Sequence, residues 1–259
     1  MLSDPKNWAV VLAAGGGADP RFPSFPHKGL IEFGGKSAIL RTVEACIEAG
    51  IGSITLATTN AVHNALSLSP QVKIAPAGET NIQTVRSGLS QTADSNAILF
   101  LPVDTPLIAR VHLKQFIRAV AERANGEVWF AAGLSPRKDV EDFAPIAPYK
   151  FLSLKEGQFA SGALFAASRK GFESALNQIE AIAGSRKSKL GMLLKVGIGT
   201  LVNYKLGRLD LKTAERLAER LLGGVAHIVP DCHPATTLDY DDATDLEFIR
   251  KNWERLNVS

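Results

Sequence analysis

Short apolar runs alternate, along the first half of the chain, with longer stretches whose apolar positions recur every three or four residues. The short runs predict strands at 8–14, 53–58, 72–75, 97–102 and 127–132, and the amphipathic stretches predict helices at 37–49, 61–67, 80–92 and 110–124. Such alternation implies a mostly parallel sheet with helices on both faces. Ligands of such sheets bind beyond the carboxyl ends of the strands, which puts the residues after 14 and after 102 in one crevice.

The second half is less regular. A loop rich in charge and proline is expected from Ser135 to Pro148, then a strand or hairpin through Phe151 to Ala167. Helices are predicted near 170–183, 188–204 and 210–222, a short strand near 225–229 and a last helix near 242–255. No linker calls for a second domain, so residues 1–259 read as one α/β domain. Its halves are 1–134 and 135–259, with a helical insertion at about 170–222.

Composition narrows the class. With 46% hydrophobic and 21% charged residues the chain has the make-up of a globular protein with a sizeable core. The net charge of +3 is spread along the chain, which argues against nucleic acid as a partner and for small anionic substrates. Cys46 and Cys232 fit no metal or redox spacing, and such thiol scarcity suits a cytoplasmic location. The apolar run at the start lacks a preceding cationic region and reads as a buried strand rather than a signal peptide. The stretch from Ser185 to Val202 begins basic and turns apolar, but Lys195, Lys205 and three glycines argue against a stable membrane span. It reads either as a core or lid helix with phosphate-binding cations at its start, or as an interfacial helix facing a lipid or hydrophobic acceptor. Homo-oligomerisation is left open.

The chemistry starts at Val10-Val11-Leu12-Ala13-Ala14-Gly15-Gly16-Gly17, with Arg21 and Lys28 downstream. Glycine N–H groups after a strand can cradle a polyphosphate, because no Cβ blocks approach and positive φ is cheap. Two familiar phosphate loops fail on spacing. Pro20 stands where a dinucleotide-binding loop needs its third glycine, and Gly35-Lys36-Ser37 would require a glycine at Leu30.

A strand at 97–102 then leads into Val103-Asp104-Thr105-Pro106. A charge buried there is costly unless paired, so Asp104 reads as a cation-binding carboxylate or as the cap of the next helix. In Leu238-Asp239-Tyr240-Asp241-Asp242-Ala243-Thr244-Asp245, alternate positions aim Asp239 and Asp241 the same way, while Asp241 or Asp242 could cap the last helix.

Together these elements resemble the nucleotidyltransferase superfamily, nearest to its molybdenum-cofactor guanylyltransferase-like branch. The resemblance rests on Leu12 to Gly17, Arg21, His27 to Lys36, the Asp104 element and the Asp239 to Leu246 element. It implies a Rossmann-like fold of the GT-A type and a Mg²⁺-dependent transfer of a nucleotidyl group from a nucleoside triphosphate to a phosphorylated small molecule, releasing pyrophosphate. It further implies nucleotide contacts by residues 12–17 and by Gly78, Thr84 and Gly88. Lys28 and Arg21 would be catalytic, and Asp104 with Asp239 or Asp241 would hold the metal. Ser161, Gly162, Arg186 and Lys187 would face the acceptor. Two other functions share this fold. The position of Arg21 and the presence of Ala163 where relatives have asparagine suit a nucleotide-binding protein without catalysis. A glycosyltransferase would bring a D-x-D beside the donor strand, where this chain has Asp104-Thr105-Pro106.

Overall fold

The computed structural model describes residues 2–92, 95–145, 147, 149–183 and 209–257. Its main sheet has eight strands: β1 (Trp8–Ala14), β4 (Ser53–Thr58), β5 (Val72–Pro76), β6 (Ala97–Pro102), β7 (Trp129–Pro136), β8 (Phe151–Leu154), β9 (Gly157–Ser168) and β10 (Val225–Val229). Their spatial order is β10-β7-β9-β6-β1-β4-β5, with β8 paired to β9. The β1, β4, β5 and β6 pairings are parallel, and β9 runs antiparallel to both β6 and β7. The expected mostly parallel α/β sheet is the one observed.

The order reverses at β1, because the chain builds outward through β4 and β5 and then returns to lay β6 on the other side. The reversal leaves a crevice at the carboxyl ends of β1 and β6. β1 can occupy the middle because nearly every side chain in it is apolar and buried, as a strand covered on both faces requires.

Helices α1 (Ala38–Ala49), α2 (Asn60–Asn64), α3 (Asn81–Ser90) and α4 (Arg110–Arg123) fill the crossovers. Their ends are set locally. Ser37 accepts from the Leu40 N–H at the start of α1 and Gly50, at φ 81°, closes it. Thr80 and Gln83 form a capping box on α3. A two-strand hairpin, β2 (Glu32–Phe33) and β3 (Lys36–Ser37), turns through Gly34 and Gly35 at φ 53° and 77°. The Gly35-Lys36-Ser37 run is therefore a hairpin turn of the kind that needs positive φ, rather than a phosphate loop.

Beyond β7 lie α5 (Arg137–Phe143), α6 (Arg169–Ala183), α7 (Leu211–Leu222), α8 (Ala243–Lys251) and α9 (Trp253–Leu256). α5 occupies part of the loop expected from Ser135, and the pairs Arg137–Glu141 at 2.6 Å and Lys138–Asp142 at 2.5 Å link its successive turns. The strand expected to end at 132 continues to Pro136, because β9 is long enough to pair with it beyond an irregularity at Ala132 to Leu134. The last helix breaks at Asn252, and the second crossover helix stops at Asn64. The helix expected at 188–204 lies outside the described residues.

The larger core packs Trp8, Leu12, Leu99 and Leu101 against α1 and α4 residues such as Ile39, Phe116 and Ile117. A second core joins the ends of the sequence: Phe22 and Phe33 pack around the fully buried Tyr240, ring centroids 5.9 and 5.2 Å away. The Tyr240 hydroxyl donates to the Lys28 carbonyl at 2.9 Å. This clamp fixes the loop carrying Arg21 and Lys28 against the acidic segment 239–241. Among the described residues no helix is long and apolar enough to cross a membrane.

Candidate active site

A cleft of about 390 Å³ opens at the reversal point, and Gly16, Gly17, Arg21, Lys28, Asn81 and Asp104 are among its lining residues. The glycine turn shapes one wall. A Cβ on Gly15 would strike the Thr84 side chain, so close packing demands glycine there. Gly16 and Gly17 face open space: the nearest atom to a Cβ at Gly16 is His27 Nε2 at 3.9 Å, and none lies within 4 Å at Gly17. None of the three adopts positive φ. What glycine supplies here is close backbone approach, not left-handed backbone.

Other expected nucleotide contacts turn out to support the wall. Leu12 and Ala14 are fully buried, leaving only their backbone; the Ala14 carbonyl accepts from the Thr58 hydroxyl at 3.1 Å. Ala13 does line the cleft. The Thr84 hydroxyl accepts from the Gly78 N–H and donates to the Thr80 carbonyl, both at 3.0 Å, so it ties the loop to α3. A Cβ on Gly88 would come within 2.7 Å of Val11 Cγ1, and one on Gly78 would strike Gln83. Both glycines therefore let α3 pack closely, and the helix brings Asn81 and Val85, neither expected as a contact, to the cleft.

Charge enters from the opposite wall. Lys28 Nζ lies 2.5 Å from Asp104 Oδ2 and 2.9 Å from Asp241 Oδ1, joining residues 213 positions apart. Burial opposes the ammonium charge, but Asp104 and Asp241 outweigh it and hold Lys28 above the usual lysine range. Arg21 grips Asp19 through Nε at 2.9 Å and Nη2 at 2.7 Å, and its Nη1 is 3.9 Å from Asp241. These hydrogen bonds hold the Asp19 carboxyl down at about 2. Asp19 was not anticipated, although an acid two residues before an arginine is a signal for such a pair. His27 is buried, and its Nδ1 accepts from the Gly29 N–H at 3.0 Å. Burial, with Lys28 beside it, lowers its pKa.

The acidic run near the end of the chain divides its work. Asp242 caps α8, accepting from the Thr244 and Asp245 N–H groups at 2.8 and 3.0 Å, and Asp245 returns bonds to the Asp241 and Asp242 N–H groups. Asp239 and Asp241 stay free of the cap; neither is among the residues lining the cleft, but Asp241 pairs with Lys28 and Asp239 lies near Asp104, which do line it. Asp239 is solvent-exposed as a residue, yet partial burial of its carboxyl and the facing Asp104 and Asp241 carboxylates push it up to about 6. Asp104 is buried, and its Oδ1 has no hydrogen-bond partner. It does not cap α4, whose N-cap is Ala109.

Two cations, Arg21 and Lys28, thus meet four carboxylates, Asp19, Asp104, Asp239 and Asp241. A triphosphate brought into that set adds negative charge to an acid-rich crevice, which favours an accompanying divalent cation. Asp104 and Asp239 fit that cation: one has an orphaned buried oxygen, and the other is crowded by its own kind. Among the described residues no group of three or more His, Cys, Asp or Glu could hold a metal ion.

The acceptor-side expectations fare differently. Ser161 is exposed on β9, while Gly162 packs against Thr236, where a Cβ would come 3.0 Å from Oγ1. Neither lines this cleft. Arg186 and Lys187 fall outside the described residues.

The sheet's reversal point thus carries a crevice with paired cations on one wall and an unsatisfied carboxylate oxygen beside them. A family model described as the MobA-like NTP transferase domain matches residues 9–186, and the chain belongs to that family. No curated protein matches it by sequence. Among solved structures it is similar to a hypothetical transferase from Thermus thermophilus, with 22% identity over 92% of this chain and 98% of that one, at a TM-score of 0.75. A nucleotidyl transferase from Methanothermobacter thermautotroptrophicus shares 20% identity over 96% and 99% of the two chains, at 0.59. A 4-diphosphocytidyl-2C-methyl-D-erythritol synthase from Anaerococcus prevotii shares 12% over 97% and 100%, also at 0.59. At these identities the structural likeness speaks for the fold.

Proposed function

We propose that the cleft transfers a nucleotidyl group from a nucleoside triphosphate to an acceptor bearing a phosphate. An acceptor phosphate oxygen attacks the α-phosphorus and forms a new P–O–P linkage. The bond from the α-phosphorus to the bridging oxygen breaks, and its electron pair leaves with pyrophosphate. The attacking oxygen already carries charge, so no proton has to be removed from it. The observation that supports this most strongly is Lys28, held between Asp104 and Asp241 at the ends of the two central strands.

Each side chain then has a distinct task. Lys28 places its charge against the α-phosphate as negative charge grows there, a role in which one fixed donor is worth about 10²–10³-fold in rate. Arg21, oriented by Asp19, faces the β- and γ-phosphates, while Gly16 and Gly17 let the backbone approach. Mg²⁺ is the cation that Asp104 and Asp239 would hold; bound there, it would neutralise triphosphate charge. Asp241 keeps Lys28 in place through its ion pair.

A panel of nucleoside triphosphates with Mg²⁺ and phosphate-bearing acceptors, followed by pyrophosphate release, tests the proposal. Release that requires both substrates supports it. Tight nucleotide binding with no release from any pair would instead identify a binding protein.

A further inference from the structure

Beside the cleft lies a second cavity of about 470 Å³, within the usual range for small-molecule sites. Its floor is the face of β6, β9, β7 and β10, and α3, α6 and α7 form its walls. The lining is almost wholly apolar, with Phe100, Phe130, Phe165, Phe172, Leu176 and Ile179 among it. Phe165 and Ile179 remain 42% and 48% exposed, unusual for large apolar residues on an inward-facing wall. The helices around the opening are anchored to one another: Arg86 of α3 bonds Asn177 and Glu180 of α6 at 2.8 Å, and Gln178 of α6 donates to the Leu222 carbonyl at 2.8 Å.

This groove runs into the charged cleft. Asn81, Val85 and Phe100 line both. A molecule with a phosphate beside Lys28 and a hydrocarbon chain would therefore pass over Phe100 from one cavity into the other. The part of the wall made by α7 and β10 lies beyond residues 9–186, so the groove is completed by segments outside the family domain.

We propose that the groove takes the hydrocarbon tail of a phosphate monoester whose head sits in the cleft, making the acceptor an amphiphile rather than a fully water-soluble phosphate. The acceptor role rests on the transfer reading above. The tail changes nothing in the bonds made and broken: the head-group oxygen joins the α-phosphorus, pyrophosphate departs, and the tail is carried into the product. What it adds is affinity from apolar burial, independent of the chemistry at Lys28.

The test measures binding of n-alkyl phosphates, from ethyl to dodecyl and below micelle formation, to the full chain with and without Mg²⁺ and a non-hydrolysable triphosphate. Pyrophosphate release is followed in parallel with hydrolysable nucleotides. Affinity is expected to rise by up to about fourfold per added methylene until the groove is full, with a negative heat-capacity change. Phe165→Asp should bring dodecyl phosphate down toward the affinity of ethyl phosphate. Ile179→Asp, at a more exposed helical position, should do the same, and thermal melting checks that both variants fold. A flat chain-length profile, or one that both folded variants retain, overturns the inference. The groove would then be an interface with a second copy of the chain. Pyrophosphate released equally from short and long phosphates defeats the tail while sparing the transfer reading. Chain-length-dependent binding with no pyrophosphate from any pair supports the tail site and defeats the transfer reading.

Discussion

The charged cleft and the apolar groove share three residues and one sheet, yet they are built on opposite principles. In the cleft nearly every ionic group is committed to a partner: Lys28 to Asp104 and Asp241, Arg21 to Asp19. The groove leaves Phe165 and Ile179 open and shows little polarity along its walls. The contrast teaches where specificity in each half comes from. A cleft of preset charges costs little reorganisation when charge develops on a phosphate, whereas an apolar surface discriminates only by how much area it covers.

Removing the charge at the centre of the cleft should give the largest effect. Lys28→Ala is expected to lower kcat/KM by about 10²–10³-fold in a protein that still folds but melts lower, because buried Asp104 loses its ion-pair partner, read by steady-state kinetics and circular dichroism. An unchanged rate would take Lys28 out of the chemistry and erase the distinction between the two cavities.

The largest single share of the acid limb of stability should come from outside both cavities. His112 is buried at the start of α4, stacks on His233 with centroids 4.3 Å apart, and accepts from the Ala109 N–H at 3.1 Å through Nδ1. Burial, with His233 beside it, lowers its pKa to about 4. The folded state therefore binds this proton more weakly than the unfolded chain does. The contribution is intact above the ordinary value near 6.5 and is lost as pH falls toward 4, by up to about 3 kcal/mol. Denaturant melts across that window should show the loss, and His112→Asn should flatten it. Activity lost in acid while His112→Asn stays folded would then belong to the cleft itself.

Gly15→Ala should cost about 1–3 kcal/mol, because the new methyl collides with the buried Thr84 side chain. Urea titration reads the cost, and the same methyl at Gly17, where no atom lies within 4 Å, should leave stability nearly unchanged. Equal costs at the two positions would mean that the turn, not its packing on α3, is what requires glycine.

The smallest expected effect separates the two late aspartates. Asp241 is 62% exposed at its side chain, so Asp241→Asn should shift stability by no more than about 1 kcal/mol. It should preserve the Mg²⁺ dependence of pyrophosphate release that Asp239→Asn removes. The reverse pattern would exchange their roles.

The sequence made the charged region more legible than the apolar one, for a physical reason. Gly15 to Gly17, Arg21, Lys28 and Asp104 sit at strand ends, where periodicity stops and each departure from it is visible in the linear order. The Asp239 to Asp245 run was visible too, but its division into two acids near Lys28 and Asp104 and two capping residues depends on where α8 begins. At Thr84, Gly78 and Gly88 the expected nucleotide contact and the observed close packing of α3 ask for the same small residues, so the linear order does not separate them. Asp19 and Asn81 carry no pattern of their own. The groove was hidden, because its apolar residues come from seven elements and each looks like ordinary core within its own strand or helix.

The most direct measurement follows the α-phosphorus of a labelled nucleoside triphosphate during incubation of the full chain with Mg²⁺ and a phosphate-bearing acceptor. The label should appear in a product that joins nucleotide and acceptor through a diphosphate, with one pyrophosphate released for each. Label that stays in the triphosphate while the protein binds it, or that appears only as free mononucleotide, would contradict the assignment of this cleft to nucleotidyl transfer.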